Sequence, residues 1–279
     1  MRYLQAQIVT DTVRRLCVEA NCIMPQDVRR CILACRESED WEPAVLSLDQ
    51  IAENYKIAES EFVPICQDTG VICVFVEIGQ ELNVKGSLTE AINEGVRKGT
   101  DEGFLRASLV SDPLRRNNTN DNTPAMIYYD LVSGDGLRIT VAPKGFGSEN
   151  MSKIVMLRPS DGVDGVKSFI LRTVEEAGAN PCPPIIVGVG MGGTFDKAAL
   201  LAKKALLRPA DDVHPDSFYA GLEAELLESI NALGIGPQGF GGRTTALAVK
   251  ISAMPTHIAG LPVAVNINCH VARHVSAEL

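Results

Sequence analysis

The chain has 279 residues, of which 46% are hydrophobic and 22% are charged, values typical of folded soluble proteins rather than disordered, collagen-like or disulfide-stapled ones. Its 26 Lys and Arg residues against 35 Asp and Glu residues give a net charge of -9, so no broad positive field attracts a phosphate backbone or an anionic membrane. We therefore expect neither nucleic acid nor a membrane as a partner.

Targeting signals and membrane spans are not expected. Residues 1–10 lack the apolar core and cleavage site of a secretory signal. The apolar runs Val71–Val76 and Ile185–Val187 are far shorter than the roughly 18 residues of a membrane helix. We expect a cytoplasmic protein, and its eight cysteines should then be reduced thiols or metal ligands.

The first 60 or so residues have helical periodicity. Two helices are predicted between Tyr3 and Arg36, separated at Met24-Pro25 because proline interrupts a helix, and a third covers Leu46–Ala58. The pattern then changes to strand, turn, strand over Phe62–Ile65 and Val71–Ile78, since β-branched and apolar residues flank the turn formers Gln-Asp-Thr-Gly.

Helices and strands alternate through the rest of the chain. Helices are predicted at 88–105, 166–177, 195–207 and 218–232, and strands at 125–131, 137–142, 185–189, 245–251 and 263–267. Residues 119–124 form a polar loop. With no repeats or linkers, the sequence predicts an α/β fold in which a helical N-terminal segment joins a mixed sheet packed by helices, as a single unit over residues 1–279.

A glycine-rich segment, Gly188–Gly193, satisfies G-x-G-x-x-G after a predicted strand and before a predicted helix. A dinucleotide site also needs a second strand ending in an acidic residue about 20 positions later. Leu207–Asp212 contains a proline and no strand, so we expect the glycines to let the backbone approach something other than a pyrophosphate.

The tripeptide Asp68-Thr69-Gly70 matches the aspartic-protease signature, whose chemistry needs two carboxylates that share a proton. The chain contains no second D-T-G or D-S-G, and polar Cys66-Gln67 precedes the tripeptide where that fold has an apolar strand. The protease interpretation is therefore disfavoured.

The cysteines fall into two groups by their surroundings. Five lie in predicted helices or a strand and are expected to be small buried hydrophobic residues: Cys17, Cys22, Cys31, Cys35 and Cys73. Cys66, Cys182 and Cys269 instead lie at strand or loop ends, which suits metal ligation. Three thiolates could hold three irons of a cubane cluster and leave the fourth open to substrate as a Lewis acid.

Five segments, taken together and in order, resemble the class I iron-sulfur fumarate hydratase and L-tartrate dehydratase family, and within it the α subunit. These segments are Cys66–Gly70, Asn120–Ala125, Lys144–Asn150, Gly192–Ala198 and Gly239–Leu247. The resemblance implies a [4Fe-4S] cluster on Cys66, Cys182 and Cys269, whose fourth iron binds a malate-like substrate. It also implies a separate β subunit that completes the active site, within a higher heteromer.

The resemblance further implies substrate contacts. Gln67 and Asp68 would face a small dicarboxylate, and Arg106 resembles the family's carboxylate-binding arginine, a role that its planar guanidinium suits. Taken alone, without the resemblance, Arg106 is better interpreted as a solvated cation at a helix end. The backbone of Gly145 and Gly147, before a predicted helix, could receive the second carboxylate or could form an ordinary glycine turn.

A histidine twelve residues before Cys269, His257, lies where the family has a catalytic histidine, and imidazole exchanges protons near neutral pH. Asp68 and His257 are thus the expected acid-base groups, in roles that could be exchanged. His270 and His274 could instead bind zinc with Cys269 if that segment is helical.

The sequence therefore predicts the α subunit of a hydro-lyase that reversibly hydrates fumarate to L-malate, with L-tartrate dehydratase as the alternative. A different class of function, a non-catalytic cluster carrier or zinc-binding subunit, stays open. Colour distinguishes an iron-sulfur protein from a zinc protein, because an anaerobically purified cluster protein is brown and a zinc protein is colourless.

Overall fold

A computed structural model describes residues 2–279 and confirms the α/β class. The described residues form two compact units. Unit 1 contains the residues up to Pro25, then Asn54–Phe146 and Arg273–Leu279, and unit 2 contains Gln26–Glu53 and Gly147–Ala272. The extent of the catalytic domain over the whole chain stays a prediction.

The predicted helices are present, with some longer than expected. In chain order the α-helices are α1 Ala6–Cys22, α2 Gln26–Ser38, α3 Glu42–Glu61, α4 Leu88–Glu102, the single turn α5 Phe146–Glu149, α6 Gly162–Ala177, α7 Phe195–Ala205 and α8 Ser217–Asn231. Short 3₁₀ turns cover Pro159–Asp161 and Pro237–Gly239. The chain leaves α1 at Ile23 and enters α2 directly after Pro25, as proline at that position requires.

The strands form three sheets within the described residues. In chain order they are β1 Arg2–Gln5, β2 Val71–Gly79, β3 Leu82–Lys85, β4 Met126–Val132, β5 Leu137–Lys144, β6 Lys153–Leu157, β7 Ile185–Gly193, β8 Ala246–Thr256, β9 Leu261–Asn268 and β10 Val275–Glu278. The single mixed sheet expected from the sequence is thus divided between the two units, with β1 and β3 forming a small parallel pair in unit 1.

Unit 1 is built on a four-stranded sheet in the order β10-β5-β2-β4. β2 pairs with β4 in parallel and with β5 in antiparallel orientation, so the sheet is mixed. Alternate β2 residues such as Ile72, Val74 and Val76 pack with apolar residues of α1 and α4, for example Val13 and Ile92. Burial of this apolar surface holds the loops at the ends of β2 and β5 in place.

One predicted strand is wrong. Phe62–Ile65 forms an irregular segment after α3, although its residues are apolar and partly β-branched. The amide of Ile65 donates to the carbonyl of Asn21 at 2.9 Å, and its carbonyl accepts from Nδ2 of Asn54 at 2.9 Å. Because helix residues satisfy both backbone groups of Ile65, this segment needs no neighbouring strand.

Unit 2 contains a second four-stranded sheet, in the order β6-β9-β7-β8. β7 and β8 are parallel, whereas β9 runs antiparallel to both β6 and β7. The apolar residues of these strands pack with α6 and α8 in one core that includes Ile170, Leu226, Val187 and Ile267. Because β7 and β9 are antiparallel, the start of β7 and the end of β9 lie at the same end of the sheet.

No helix in the described part of the chain is long and apolar enough to cross a bilayer.

Candidate active site

The Cys66–Gly70 segment of unit 1 forms a tight turn before β2. The amide of Asp68 donates to Sγ of Cys66 at 3.4 Å, and the amide of Gly70 donates to Oδ1 of Asp68 at 3.0 Å. The thiol of Cys66 points to Oε1 of Gln67 at 3.6 Å. The turn therefore holds three of the predicted site residues, Cys66, Gln67 and Asp68, side by side.

Gly70 is the residue that allows this turn. It has a φ of +74°, and a Cβ atom at this position would lie 2.5 Å from the carbonyl carbon and oxygen of Lys144. Both the left-handed backbone and the close approach exclude a larger side chain without movement. The turn is consequently packed directly on the end of β5, where Lys144 pairs with Val71.

Both carboxylate oxygens of Asp68 accept a backbone N–H. Oδ2 receives the amide of Phe146 at 2.9 Å, in addition to the Gly70 bond at Oδ1, and the Asp68 carbonyl receives Nη2 of Arg273 at 2.8 Å. A Cβ atom on Gly145 would lie 3.2 Å from Oδ2 of Asp68, so this glycine borders the Asp68 carboxylate, while its predicted contact with a substrate carboxylate stays a prediction. The amide of Phe146 is bonded to Asp68, and α5 is a single turn, so the longer helix expected to start near Glu149 is wrong.

Arg106 is tied to the same turn through its main chain. Its carbonyl accepts from Oγ1 of Thr69 at 3.3 Å and from Nδ2 of Asn122 at 3.0 Å, while its side chain is exposed. Asn122 is only 1% exposed, and its Oδ1 also accepts the amide of Ser108 at 2.8 Å. The structure therefore places the backbone of Arg106 next to the Cys66–Gly70 turn.

The loops of Cys182 and Cys269 meet in unit 2. The amide of His270 donates to the carbonyl of Cys182 at 3.3 Å. Nε2 of Gln238 donates to the carbonyl of Pro183 at 2.7 Å and lies 3.1 Å from Nδ1 of His270. Since these bonds join the chain before β7 to the chain after β9, two of the three predicted ligand cysteines lie at one end of the unit 2 sheet.

Two residues in these networks were not predicted from the sequence, Asn122 and Gln238. Both have a left-handed φ, +58° and +54°, and both bond to the backbone of a predicted site residue or its neighbour. Asn is enriched in the left-handed conformation, so the Asn-Asp-Asn run was an available signal for Asn122. Nothing in the local sequence marks Gln238.

Gly147, the other glycine predicted to contact substrate, is exposed. A Cβ atom there would have the carbonyl oxygen of Asn180 as its nearest neighbour, at 3.7 Å. Gly147 therefore lies close to the chain that leads into Cys182.

His257 lies away from these cysteines. It is exposed in the connection between β8 and β9, where its Nδ1 accepts the amide of Ala259 at 3.1 Å. The eight residues of β9 separate this connection from Cys269, a distance of about 26 Å at roughly 3.3 Å per residue. Within unit 2, His257 and the Cys182–Cys269 pair thus occupy opposite ends of the sheet.

A family model described as Fumarate hydratase (Fumerase) matches residues 10–278, nearly the whole chain. The chain belongs to the fumarate hydratase family. It is 46% identical over 271 residues to a putative L(+)-tartrate dehydratase subunit alpha of Methanocaldococcus jannaschii, with 95% of both chains covered. It is 31% identical to the L(+)-tartrate dehydratase subunit alpha of Escherichia coli K12, covering 95% of this chain and 88% of that one.

A putative fumarate hydratase class I of Geobacillus stearothermophilus is 33% identical over 281 residues, covering 96% of this chain but 54% of the relative. The chain thus spans about half of that protein. Fumarate hydratases and tartrate dehydratases add or remove water across a carbon-carbon bond, so the fumarate hydratase family to which this chain belongs is one of hydro-lyases.

Four of the cysteines that are not predicted ligands have raised pKa values. Burial raises the pKa of Cys17 to about 12 and, with help from nearby Asp211, that of Cys31 to about 11. Burial also raises the pKa of Cys22 and Cys35. A raised pKa disfavours the thiolate that binds metal, so these four thiols are poor ligands.

The two competing site interpretations do not match the structure. Gly188 and Gly190 lie inside β7, where Cβ atoms would come within 2.3 and 2.1 Å of carbonyl oxygens of Ala202 and Ala198. These glycines allow α7 to pack closely on the strand. Residues 270–274 are not helical, so the helical spacing required for the zinc site is missing.

Proposed function

We propose that this chain is the α subunit of a two-subunit [4Fe-4S] hydro-lyase that acts on a four-carbon dicarboxylic acid. The observation that carries the proposal is the Cys66–Gly70 turn, which places a cysteine sulfur beside a carboxylate fixed by two backbone amides. An oriented carboxylate next to a metal-binding sulfur is the arrangement that proton transfer near a Lewis acid needs.

Two substrates are candidates. Fumarate hydration to L-malate is the activity that the sequence motifs predict, and one relative is named a class I fumarate hydratase. L-tartrate dehydration is supported by the 46% identical relative, which carries the tartrate dehydratase name. Because the two relatives named subunit alpha match this chain over most of their length, we propose that a separate β chain completes the site here as well.

Cys66, Cys182 and Cys269 are the proposed cluster ligands. The amide of Asp68 donates to Sγ of Cys66, so this sulfur lies in a turn whose backbone is already ordered around it. Cys182 is exposed in its loop, and its carbonyl is bonded to the residue after Cys269. When bound, the cluster supplies a Lewis-acidic iron that polarises the hydroxyl group as it leaves.

No three His, Cys, Asp or Glu side chains of residues 2–279 are grouped as ligands of one metal ion. A cubane cluster takes one thiolate on each of several irons, and three cysteines are the donor set that such a cluster needs.

The chain's own polar groups have distinct proposed tasks. Arg106 presents its exposed guanidinium to one substrate carboxylate, and the Gly145–Gly147 backbone borders the other. Asp68 moves a proton at the carbon next to the leaving hydroxyl, since its carboxylate is held in one orientation. His257 stays a prediction as the second acid-base group, and its position at the far end of the unit 2 sheet means that it cannot reach Cys269 of its own chain.

The ligand assignment is tested by replacing one cysteine at a time with serine and measuring iron and sulfide after anaerobic reconstitution. Cys66→Ser, Cys182→Ser and Cys269→Ser should each lose the stable cluster, whereas the matched controls Cys31→Ser and Cys35→Ser should retain it. A full cluster in Cys182→Ser, or its loss in Cys31→Ser, would show that the ligands are misassigned.

The enzymatic role is tested by mixing the cluster-loaded chain with its β chain under anaerobic conditions and assaying both fumarate hydration and L-tartrate dehydration. Activity should appear only in the mixture, and Asp68→Asn should lower turnover by roughly 10²-fold while iron content is unchanged. Full activity of the isolated chain would refute the shared site. Wild-type turnover of Asp68→Asn would remove Asp68 from the mechanism.

A further inference from the structure

The carboxylate of Glu149, the last residue of α5, is bonded to two other elements of unit 2. Oε1 accepts from Nζ of Lys203 in α7 at 2.6 Å, and Oε2 accepts from Nδ2 of Asn266 in β9 at 2.8 Å. The side chains of Lys203 and Glu149 are only 16% and 25% exposed, so this ion pair differs from the exposed pairs that contribute little to a fold. Glu149 therefore ties its short turn to the sheet and to the helix that packs on it.

Asn266 extends this attachment to the strand that leads into Cys269. It is 6% exposed, and its Nδ2 also donates to Oγ of Ser152 at 2.9 Å. The same Oγ accepts the amide of Ile267 at 3.2 Å. Since β6 begins directly after Ser152, the serine hydroxyl adds one side-chain bond to the pairing of β6 with β9. Residues 149–152 and the last residues of β9 before Cys269 thus form one hydrogen-bonded unit.

The same segment begins at Gly147, two residues before Glu149. A Cβ atom on Gly147 would have the carbonyl oxygen of Asn180 as its nearest neighbour, and Asn180 lies two residues before Cys182. Within unit 2, Glu149 is therefore the polar connection between the Gly147 backbone on one side and the chain that carries Cys269 on the other.

We propose that Glu149 is a positioning residue that sets the spacing between the Gly147 backbone and Cys269. This inference rests on the proposed function, in which the Gly147 backbone borders one substrate carboxylate and Cys269 helps to hold the cluster. A four-carbon dicarboxylate has a fixed reach, so its alignment depends on this spacing. A misplacement of about 1 Å costs on the order of 10²-fold in rate. Glu149 acts here through Asn266 and Ser152 rather than by contact with substrate.

The charge of Glu149 is needed as well as its shape. Both of its carboxylate oxygens accept, and both partners are donors, an ammonium and an amide NH₂. In Glu149→Gln one terminal atom becomes an NH₂ group, which must face a donor at one of these two places. The substitution therefore removes one bond at nearly constant volume, and it leaves the largely buried Lys203 without its counter-charge.

The first test is hydrogen exchange in the full chain, read by mass spectrometry, which requires neither substrate nor activity. Glu149→Gln should speed exchange in peptides that cover residues 147–152 and 266–269 by about tenfold or more, because the lost bond involves a charged group. The matched control is Glu225→Gln, which breaks an ion pair with Lys167 between α6 and α8 of the same unit. It should leave exchange in these peptides unchanged. Unchanged exchange in Glu149→Gln overturns the proposal.

The second test is the division of the effect between kcat and KM in the cluster-loaded chain assembled with its β chain. Misalignment affects the transition state more than substrate binding, so Glu149→Gln should lower kcat, counted per intact cluster, by roughly tenfold or more. KM should change by less than about threefold. Loss of folded protein alone would lower the cluster count and leave this kcat unchanged, so the readout separates positioning from stability.

Ser152→Ala provides a second route to the same result, since it removes the acceptor shared by Asn266 and Ile267. It should also lower kcat, and the double variant with Glu149→Gln should lose less than the product of the two single losses, because both act through one network. Independent, multiplying losses overturn the proposal, as does wild-type kcat in Glu149→Gln when the wild type is active. An inactive wild-type mixture instead refutes the proposed function, and this inference with it.

Discussion

Substitution of Asn122 tests whether its side-chain hydrogen bonds hold the backbone of the candidate site in place. Its side chain donates to the Arg106 carbonyl and to Oγ1 of Thr100, and accepts from the Ser108 amide. Three bonds at about 1 kcal/mol each give about 3 kcal/mol of stability. Asn122→Ala loses these bonds and in addition places alanine at a φ of +58°, which costs roughly 1–2 kcal/mol more.

The matched control is Asn122→Gly, which removes the same three bonds but accepts the left-handed backbone. In urea unfolding of the full chain, we expect Asn122→Ala to be about 4 kcal/mol less stable than the wild type and Asn122→Gly about 3 kcal/mol less stable. The difference between the two variants isolates the backbone contribution from that of the hydrogen bonds.

The same variants report on substrate binding in the assembled enzyme. Without the bond from Asn122, the Arg106 carbonyl loses one of its hydrogen bonds, and the backbone that carries the Arg106 side chain is held less firmly. The KM for the dicarboxylate should rise by roughly tenfold, equivalent to about 1.4 kcal/mol, with a smaller effect on kcat. Arg106→Lys should show a similar rise. A stable Asn122→Ala variant with wild-type KM would refute the positioning role.

Two further predictions concern stability. Gly70→Ala should lower thermal stability more than Gly134→Ala. Both glycines have a positive φ, but of the two only Gly70 has backbone atoms within 2.5 Å of a new Cβ. Equal losses of stability would show that the close approach is unimportant. Burial raises the pKa of Asp212, but hydrogen bonds from Arg208 and Lys250 outweigh burial and lower the pKa below 3.8. The ionised Asp212 therefore stabilises the fold above about pH 4, and this stabilisation is lost as the pH falls further. Acid unfolding of Asp212→Asn should accordingly depend less on pH in this range, and an identical pH profile would contradict the assignment.

Much of the fold could be predicted because it rests on local patterns. Proline at position 25 separates α1 from α2, and the apolar runs of β2, β7 and β9 form strands at the predicted places. The short strands β1, β3, β6 and β10 were missed, since four or five residues carry too little periodicity without their partners. The division into two units was not predicted either, because their segments alternate along the chain and no linker separates them.

The sequence indicated candidate site residues, but it did not indicate the residues whose hydrogen bonds hold the backbone of that site. The loops of Cys182 and Cys269 meet at one end of the unit 2 sheet, and the role of these cysteines as cluster ligands stays a prediction. Asn122 and Gln238 were missed because they act through hydrogen bonds to backbone atoms of residues 16 and 55 positions away. Such contacts depend on the folded path of the chain and leave no spacing that a sequence pattern can reveal.

The hydrogen bond from Arg273 to the Asp68 carbonyl can form only late in synthesis of the segments that make up unit 1. Arg273 begins the final segment of unit 1, whereas Asp68 leaves the ribosome about 200 residues earlier. At roughly 5–20 residues per second, the early segment waits on the order of ten seconds or more for this partner. Until Arg273 has been synthesised, the Cys66–Gly70 turn lacks the hydrogen bond that Arg273 donates to the Asp68 carbonyl, and the nascent unit 1 is held at this turn by its other contacts alone.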